Sequence, residues 1–326
     1  MTKYKILSLF SGIGGTDIGF QGGFDYLSKT YKKLPTKVIF ANDIDKGARQ
    51  LFDANFDIES TSTDIRELDI TKLPDADIVT GGFPCQSFSV SATNPPRLGI
   101  KDPRGQLFFD MNKVLQLKKP KVFVAENVKG IFSANKGEAF PLIIKTFEES
   151  GYDIYYQLFH AEEYGIPQKR QRVFIVGFRK DLNIDFTFPA PTTKEPSKYI
   201  PLKNILQKNV DSKYFFSERA VQGLKKSKNR KTMNKGRAQD INRPSNTVGA
   251  HLAKVSLNST DPVLMEKGKY RRFTPREVAR IQSFPENYKL IGSQTQQYKG
   301  LGNAIPPVLM WHIANSIINA LEKNYR

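Results

Sequence analysis

One cysteine occupies a position typical of a nucleophile. Cys85 is the only cysteine among 326 residues, and it lies in segment 82–89 (GFPCQSFS), directly after a short apolar run. A lone cysteine is usually a small buried apolar residue, but a loop that follows a strand is where ligands meet α/β sheets. A single cysteine excludes an internal disulfide, and the three distant histidines form no ligand spacing, so no metal site is expected.

Three charged residues are candidates to act with this cysteine. Glu126 follows the apolar run 122–125 (VFVA), and Arg170 and Arg172 open the segment 168–176 (QKRQRVFIV). Period-two alternation would place the two arginines on one face of a strand. A free thiol has a pKa near 8.5, so basic neighbours would help to supply the reactive thiolate. The pattern indicates covalent catalysis by a thiolate, with a carboxyl group nearby.

Alternating strands and helices must position these residues. Short apolar runs at 5–10, 37–41, 76–80 and 122–125 are separated by helical patterns such as 46–52 and 107–117. This alternation predicts a parallel sheet with helices on both faces. Ligands of such sheets lie at the carboxyl ends of the strands. We therefore expect the candidate residues to meet at one edge of the sheet.

A nucleoside site is predicted at the first two strands. Segment 10–15 (FSGIGG) forms a glycine-rich turn that opens a helix, and Asp43 ends the second strand, where it can accept hydrogen bonds from ribose hydroxyls. Asp64 suits a contact to an adenine amino group. The glycines lack the G-x-G-x-x-G spacing of nicotinamide enzymes. The acid also follows them at a longer interval than usual, and we attribute the excess to a loop insertion at 25–36.

The charge of the chain points to a polyanionic partner. The formal net charge is +18 and the isoelectric point is near 9.7. Segment 194–280 holds 21 lysines and arginines against seven acids, and 224–237 holds seven basic residues and no acid. Nucleic acid is the first candidate. Neither a membrane-spanning apolar run nor a secretory signal is visible, so we expect a cytoplasmic protein.

A change of composition near Phe186 divides the chain. We predict a catalytic and cofactor-binding domain at 1–189 plus 290–326, and a small target-recognition domain at 190–289.

Taken together, these motifs resemble those of the bacterial DNA (cytosine-5)-methyltransferases of restriction–modification type. Pro-Cys-Gln, Glu-Asn-Val and Gln-Lys-Arg-x-Arg in this order are highly specific to that family. The unmatched part of the chain is mainly 190–268. The matched segments are 10–15, 43–45, 64–65, 82–89, 104–109, 126–128, 168–172, 272–285 and 302–304.

The resemblance implies a fold and a reaction. The fold would be α/β, a Rossmann-like S-adenosylmethionine-dependent methyltransferase sheet with a smaller, irregular DNA-recognition domain. Cys85 would add to carbon 6 of a flipped-out cytosine, so that carbon 5 could take a methyl group. A protonated Glu126 would contact ring nitrogen 3, and Arg172 the carbonyl oxygen. Arg170 and Arg172 would favour the thiolate, and Phe83 and Pro84 would line the substrate pocket.

The resemblance also assigns residues to S-adenosylmethionine and to DNA. One departure concerns Ile44, which stands where several relatives carry an aromatic residue beside the adenine. The cofactor set is Phe10, Gly12, Gly14, Asp43, Ile44, Asp64, Leu107 and Asn303. The DNA set is Ser91 and Gln239 to fill the vacated base stack, Arg97 and Arg104 for phosphates, and Thr247 near the target.

The expected partner is double-stranded DNA. We expect the protein to be a cytoplasmic monomer that is encoded by a bacterium or a phage. A companion restriction endonuclease acting on the same site is a candidate partner. Three alternatives stay open: a tRNA cytosine-5 methyltransferase on the same fold, a DNA-binding module without catalysis, and a nicotinamide oxidoreductase. The sequence does not determine which DNA site is recognised.

Overall fold

A six-stranded sheet forms the centre of the molecule. The computed structural model describes residues 4–83, 107–226, 237–253, 261–266 and 268–323. The strands are β1 (Tyr4–Leu9), β2 (Phe24–Tyr26), β3 (Lys29–Tyr31), β4 (Thr36–Asn42), β5 (Ile78–Gly81), β6 (Val122–Val128), β7 (Tyr152–His160), β8 (Gln168–Lys169), β9 (Gln171–Arg179), β10 (Ser245–Asn246), β11 (Leu264–Glu266) and β12 (Lys269–Arg271). The helices are α1 (Gly15–Gln21), α2 (Lys46–Asp53), α3 (Leu107–Lys118), α4 (Ala139–Glu149), α5 (Glu218–Lys226), α6 (Pro275–Ile281), α7 (Gln294–Asn303) and α8 (Pro307–Lys323).

The order of the central sheet is β4-β1-β5-β6-β9-β7. The four strands predicted from the sequence are β1, β4, β5 and β6, and they run parallel. Strand β9 is antiparallel to both of its neighbours, β6 and β7. The prediction of a parallel sheet is therefore confirmed for four strands, and a long antiparallel pair extends it.

Period-two alternation along the strands creates two apolar cores, one on each face. Ile6, Ile78 and Val124 pack with α1 and α8 on one face. Leu7 and Val79 pack on the other face with α3 and α4. Since successive residues point to opposite faces, Glu126 lies on the same face as Val124, towards α1 and α8.

The interval between the glycine-rich turn and β4 contains a hairpin. We expected a loop at 25–36, and that prediction was wrong: β2 and β3 pair, with Tyr26 opposite Lys29. Tyr26 and Tyr31 are buried in the core that contains α8. The strands are three residues each and the tip is polar, so the sequence shows too short an alternation to identify.

The second half of the chain is attached to the first through a third core, which contains Ile13, Val248 and Val278, and through hydrogen bonds. Strand β10 pairs with β8, so that Ser245 lies opposite Gln168. The Tyr288 hydroxyl donates to the Ile13 carbonyl at 2.7 Å, and the Tyr26 hydroxyl donates to the Arg280 carbonyl at 2.7 Å. The segment around α6 thus packs directly on the glycine-rich turn and on the β2–β3 hairpin.

Among the described residues, one segment, 294–323, is long and apolar enough to cross a membrane by length and composition, and 67% of its apolar window is buried. It comprises α7 and α8, and α8 forms part of the first core.

A buried ion pair holds the start of α6. Arg271 donates to Glu277 at 2.8 and 2.9 Å, and the two side chains are 1% and 0% exposed. Glu277 also accepts from the backbone N–H of Thr274 at 2.9 Å and of Gln207 at 3.0 Å. The carboxylate therefore ties three segments together with all four of its acceptor positions in use.

We predict that Glu277→Gln lowers the free energy of unfolding by about 3 kcal/mol, because it removes the fully buried carboxylate that pairs with Arg271 and leaves only the partly exposed Glu266 as counter-charge. Urea unfolding measures the change. The control is Glu195→Gln, which breaks an ion pair whose two side chains are both 62% exposed and should cost at most about 1 kcal/mol. Equal losses in the two variants would contradict the prediction.

Candidate functional site

The glycine-rich turn after β1 is a close-packed loop with one open position. Phe10, Gly12 and Gly14 have φ values of 52°, 55° and 81°, in the left-handed region that favours glycine. A Cβ on Gly14 would lie 2.2 Å from the Phe56 ring, whereas a Cβ on Gly12 would meet none of the described residues within 4 Å. Among those residues Gly12 therefore faces open space, and its lack of a side chain leaves room for a ligand against the backbone.

Asp43 fixes this loop to the end of β4. Its carboxylate accepts the Gly12 N–H at 2.8 Å and the Asp45 N–H at 2.8 Å. Burial raises the pKa of Asp43, and these two hydrogen bonds oppose that effect. A carboxylate offers about four acceptor positions, so about two are left for a sugar hydroxyl pair. The next side chain, Ile44, is 67% exposed beside it.

The other predicted cofactor residues occupy the neighbouring segments. Asp64 accepts two hydrogen bonds from Arg66, at 2.9 and 2.6 Å, and they hold its pKa at about 2. Leu107 begins α3 and is half-buried, and Asn303 ends α7 and is exposed. An open backbone position, a carboxylate with spare acceptors and an exposed aliphatic side chain fit a nucleoside with a polar tail.

An acid and a guanidinium pair at the ends of β6 and β9. Arg172 Nε lies 2.8 Å from Glu126 Oε1, and their side chains are 14% and 15% exposed. Burial raises the pKa of Glu126, while Arg172 and Arg170 act in the opposite direction. A Cβ on Gly82 would lie 3.4 Å from Glu126 Oε2, so the pair borders the point where β5 leads into segment 84–106.

Several predicted residues lie outside the described residues. They are Pro84, Cys85, Ser91, Arg97 and Arg104. The residues that lead to them are placed: the Asn127 amide donates to the Phe83 carbonyl at 3.4 Å. The Phe83 side chain is 3% exposed, and its ring lies 6.1 Å from that of Phe108. Phe83 therefore anchors the start of the segment with its side chain in the core.

Arg170 lies in the interior. Its side chain is 1% exposed, and it donates to the Val248 carbonyl at 3.2 Å and to the Gly302 and Ala304 carbonyls at 3.1 and 3.0 Å. Among the described residues its Nε has no hydrogen-bond partner. Two of the three guanidinium nitrogens thus donate hydrogen bonds to backbone carbonyls. The sequence did not indicate this structural role for Arg170.

The predicted DNA-contacting residues that are described lie near β10. The Thr247 hydroxyl donates to the Lys169 carbonyl at 2.7 Å, and Thr247 is exposed. The Gln239 amide oxygen accepts the Asn246 N–H at 2.7 Å, and its nitrogen donates to the Arg237 carbonyl at 2.9 Å. The Gln239 amide therefore holds strand β10, and Thr247 is the residue that follows this strand.

Two buried glutamines were missed by the sequence analysis. Gln168 Nε2 donates to Gln282 Oε1 at 2.7 Å, and both side chains are fully buried. Each glutamine lies inside a segment that matched a family motif. Because a glutamine side chain carries no charge, its residue type alone did not indicate a functional role.

A buried acid lies behind the glycine-rich turn. Asp17, in the first turn of α1, is 0% exposed. Burial raises its pKa to about 7, an effect that outweighs the nearby Ser8 hydroxyl.

Comparison with known sequences finds a consistent set of relatives. The family pattern described as C-5 cytosine-specific DNA methylase matches residues 4–319. The Type II methyltransferase M1.ScrFI of Lactococcus lactis subsp. cremoris is 38% identical, over 99% of this chain and 80% of that protein. The Type II methyltransferase M.SsoII of Shigella sonnei is 34% identical, over 98% of this chain and 81% of that protein.

Comparison with solved structures supports the fold. The Entamoeba histolytica methyltransferase EhMeth matches with a TM-score of 0.76 at 19% identity, over 98% of this chain and 99% of that one. Dnmt2 of S. pombe matches with a TM-score of 0.73 at 22% identity, over 98% of this chain and 99% of that one. The Rossmann-like methyltransferase sheet expected from the sequence is confirmed.

Asp17 should make stability depend on pH. Its pKa is about 7 in the folded protein, against an ordinary value of 3.8. The folded state therefore binds this proton more tightly, and the stability that the proton contributes is lost as the pH rises from about 4 to 7. We predict that Asp17→Asn gains up to about 4 kcal/mol over wild type on going from pH 4 to pH 8.

Urea unfolding of both proteins at several pH values measures this gain. Asp57→Asn, at an exposed position, is the control and should follow the wild-type profile. A difference between Asp17→Asn and wild type that does not change with pH would contradict the prediction.

Proposed function

The chain belongs to the C-5 cytosine-specific DNA methylase family, and from this we propose that it methylates carbon 5 of a flipped-out cytosine in one short sequence of double-stranded DNA. The observation that carries the proposal is the Glu126–Arg172 pair. It joins a carboxyl group of raised pKa to a guanidinium, beside Gly82, which precedes the only cysteine by three positions in the sequence. A pyrimidine ring that gains negative charge needs a proton donor and a cation at such a place.

The cofactor of this reaction would be S-adenosylmethionine, held at the ends of β1, β4 and α7. Gly12 and Gly14 would give the backbone access, and Asp43 would accept the ribose hydroxyls with the lone pairs that Gly12 and Asp45 leave free. The remaining assigned residues are Phe10, Ile44, Asp64, Leu107 and Asn303. When bound, the cofactor supplies an electrophilic methyl group on a positively charged sulfur, which carbon 5 accepts.

The catalytic residues divide the work on the ring. Cys85 would add as thiolate to carbon 6, which makes carbon 5 nucleophilic, and loss of the carbon-5 proton would later expel the thiolate. Glu126 would donate its proton to ring nitrogen 3, which its raised pKa favours, and Arg172 would stabilise the carbonyl oxygen. The charge of Arg170 acts on Glu126 together with that of Arg172, and it would also favour the thiolate. Phe83 and Pro84 would shape the pocket.

DNA would bind between the two predicted domains, 1–189 plus 290–326 and 190–289. Thr247 would lie near the target, Arg97 and Arg104 would contact phosphates, and Ser91 and Gln239 would fill the vacated stack. Because base flipping costs a few kcal/mol, such contacts must compensate for lost stacking. We propose a monomer, encoded by a bacterium or a phage, that protects host DNA in the cytoplasm from a companion restriction endonuclease of the same site. Its relatives are Type II methyltransferases.

We predict that wild-type protein transfers label from S-adenosylmethionine to cytosine carbon 5 of unmethylated bacterial DNA in one short sequence. Bisulfite sequencing of the product identifies the base and the site together. Cys85→Ser should transfer no label, because a hydroxyl is a far weaker nucleophile than a thiolate at neutral pH.

Transfer RNA is tested in parallel. Label on tRNA with none on DNA would favour the alternative substrate, and cofactor binding without label on either would favour a binding protein.

A second prediction concerns Glu126. Glu126→Ala should lower kcat for DNA methylation by about 10²–10³-fold, because it removes a preorganised donor to the ring. Single-turnover assays measure the rate, and calorimetry with S-adenosylhomocysteine should give an affinity within about twofold of wild type. Glu149→Ala, an exposed acid of α4, is the control. A rate near wild type for Glu126→Ala would refute the assigned role.

A further inference from the structure

Two backbone segments with different assignments meet inside the molecule. Residues 247–249 follow β10 and include Thr247, assigned to DNA, whereas residues 301–304 end α7 and include Asn303, assigned to the cofactor. A Cβ on Gly302 would lie 2.3 Å from the carbonyl carbon and oxygen of Gly249. The two backbones are therefore in direct contact, without side chains between them.

The first connection between the segments is the Arg170 guanidinium. One terminal nitrogen donates to the Val248 carbonyl, and the other donates to the carbonyls of Gly302 and Ala304. Val248 follows Thr247, and Gly302 and Ala304 flank Asn303. A single planar group thus fixes the neighbours of both assigned residues at once.

The second connection runs through two glutamines. Gln168 Oε1 accepts the Val248 N–H at 2.9 Å, and Gln168 Nε2 donates to Gln282 Oε1 at 2.7 Å. Gln282 Nε2 then donates to the Leu301 carbonyl and, at 3.3 Å, to the Ala304 carbonyl. Both backbone groups of Val248 are therefore linked to the same turn, by two separate routes.

Burial makes these connections sensitive to movement. Gln168, Val248 and Gln282 are 0% exposed and Arg170 is 1% exposed. Water cannot replace a bond that breaks there, and an unpaired buried polar group is costly. A displacement of 247–249 must therefore either carry 301–304 with it or break several bonds together.

We propose that Gln282 is a positioning residue that couples cofactor binding to DNA binding by transmitting the position of one segment to the other. The inference rests on the proposed function, because it needs Thr247 at DNA and Asn303 at the cofactor. It assigns Gln282 no contact with either ligand. Coupling of this kind is reciprocal, so each ligand raises the affinity for the other by the same factor, commonly about 5–150-fold.

The test uses Gln282→Met, which keeps the length of the side chain and removes both its donor and its acceptor. Calorimetry measures the affinity for S-adenosylhomocysteine with and without a duplex that carries the mapped methylation site. Fluorescence anisotropy measures the affinity for that duplex with and without S-adenosylhomocysteine. The expected coupling factor is at least about fivefold in wild type, and it falls by about half or more in the variant, which keeps only the Arg170 route.

The ratio separates coupling from a purely structural role. A residue that only stabilises the fold would lower both affinities, with and without the second ligand, by the same factor, and the ratio would stay at the wild-type value. The matched control is Gln297→Met. The Gln297 side chain also donates to backbone carbonyls, but these belong to residues 290–292 and not to either of the two segments. This variant should keep the wild-type ratio.

Gln168→Met interrupts the same route at its other end and should give the same loss, so it serves if Gln282→Met does not fold. A wild-type ratio in a folded Gln282→Met or Gln168→Met protein overturns the inference while the proposed function stands. A wild-type protein that methylates no DNA overturns the proposed function, and the coupling with it.

Discussion

A buried guanidinium must be surrounded by acceptors, because its charge has lost water and cannot be left without partners. Arg170 meets this requirement with carbonyls from residues that are 78 to 134 positions away in the sequence. The chain can therefore bury Arg170 only after 248 and 302–304 have reached the end of β8. The positions of segment 247–249, the end of α7 and the neighbourhood of Glu126 are linked through this one side chain.

Two of the carboxyl groups assigned to the site have pKa values that are shifted in opposite directions. Asp64 is exposed enough for Arg66 to hold its pKa at about 2, whereas burial raises the pKa of Glu126 although two arginines act on it. Environment, and not residue type, separates a permanent anion from a group that can carry a proton.

The sequence was informative where one residue type or a local pattern decides the outcome. Four apolar runs predicted the parallel strands, and Glu126 and Arg172 were expected at one edge, where they lie 2.8 Å apart. Patterns of three residues, such as β2 and β3, are too short to separate from a loop. The acceptors of Arg170 and the pairing of Gln168 with Gln282 depend on contacts between distant segments, and no local pattern records them.

The contacts that hold segment 245–249 have a consequence for which changes the chain tolerates there. Ser245 and Val248 are bonded through their backbone atoms, and Gly249 approaches Gly302 backbone to backbone. The chain path there is constrained, and the buried side chains of Ser245 and Val248 are held with it. Exchanges of the exposed residues beside them are tolerated only where this path is preserved. The segment is thus a fixed attachment point for the part of the chain around it.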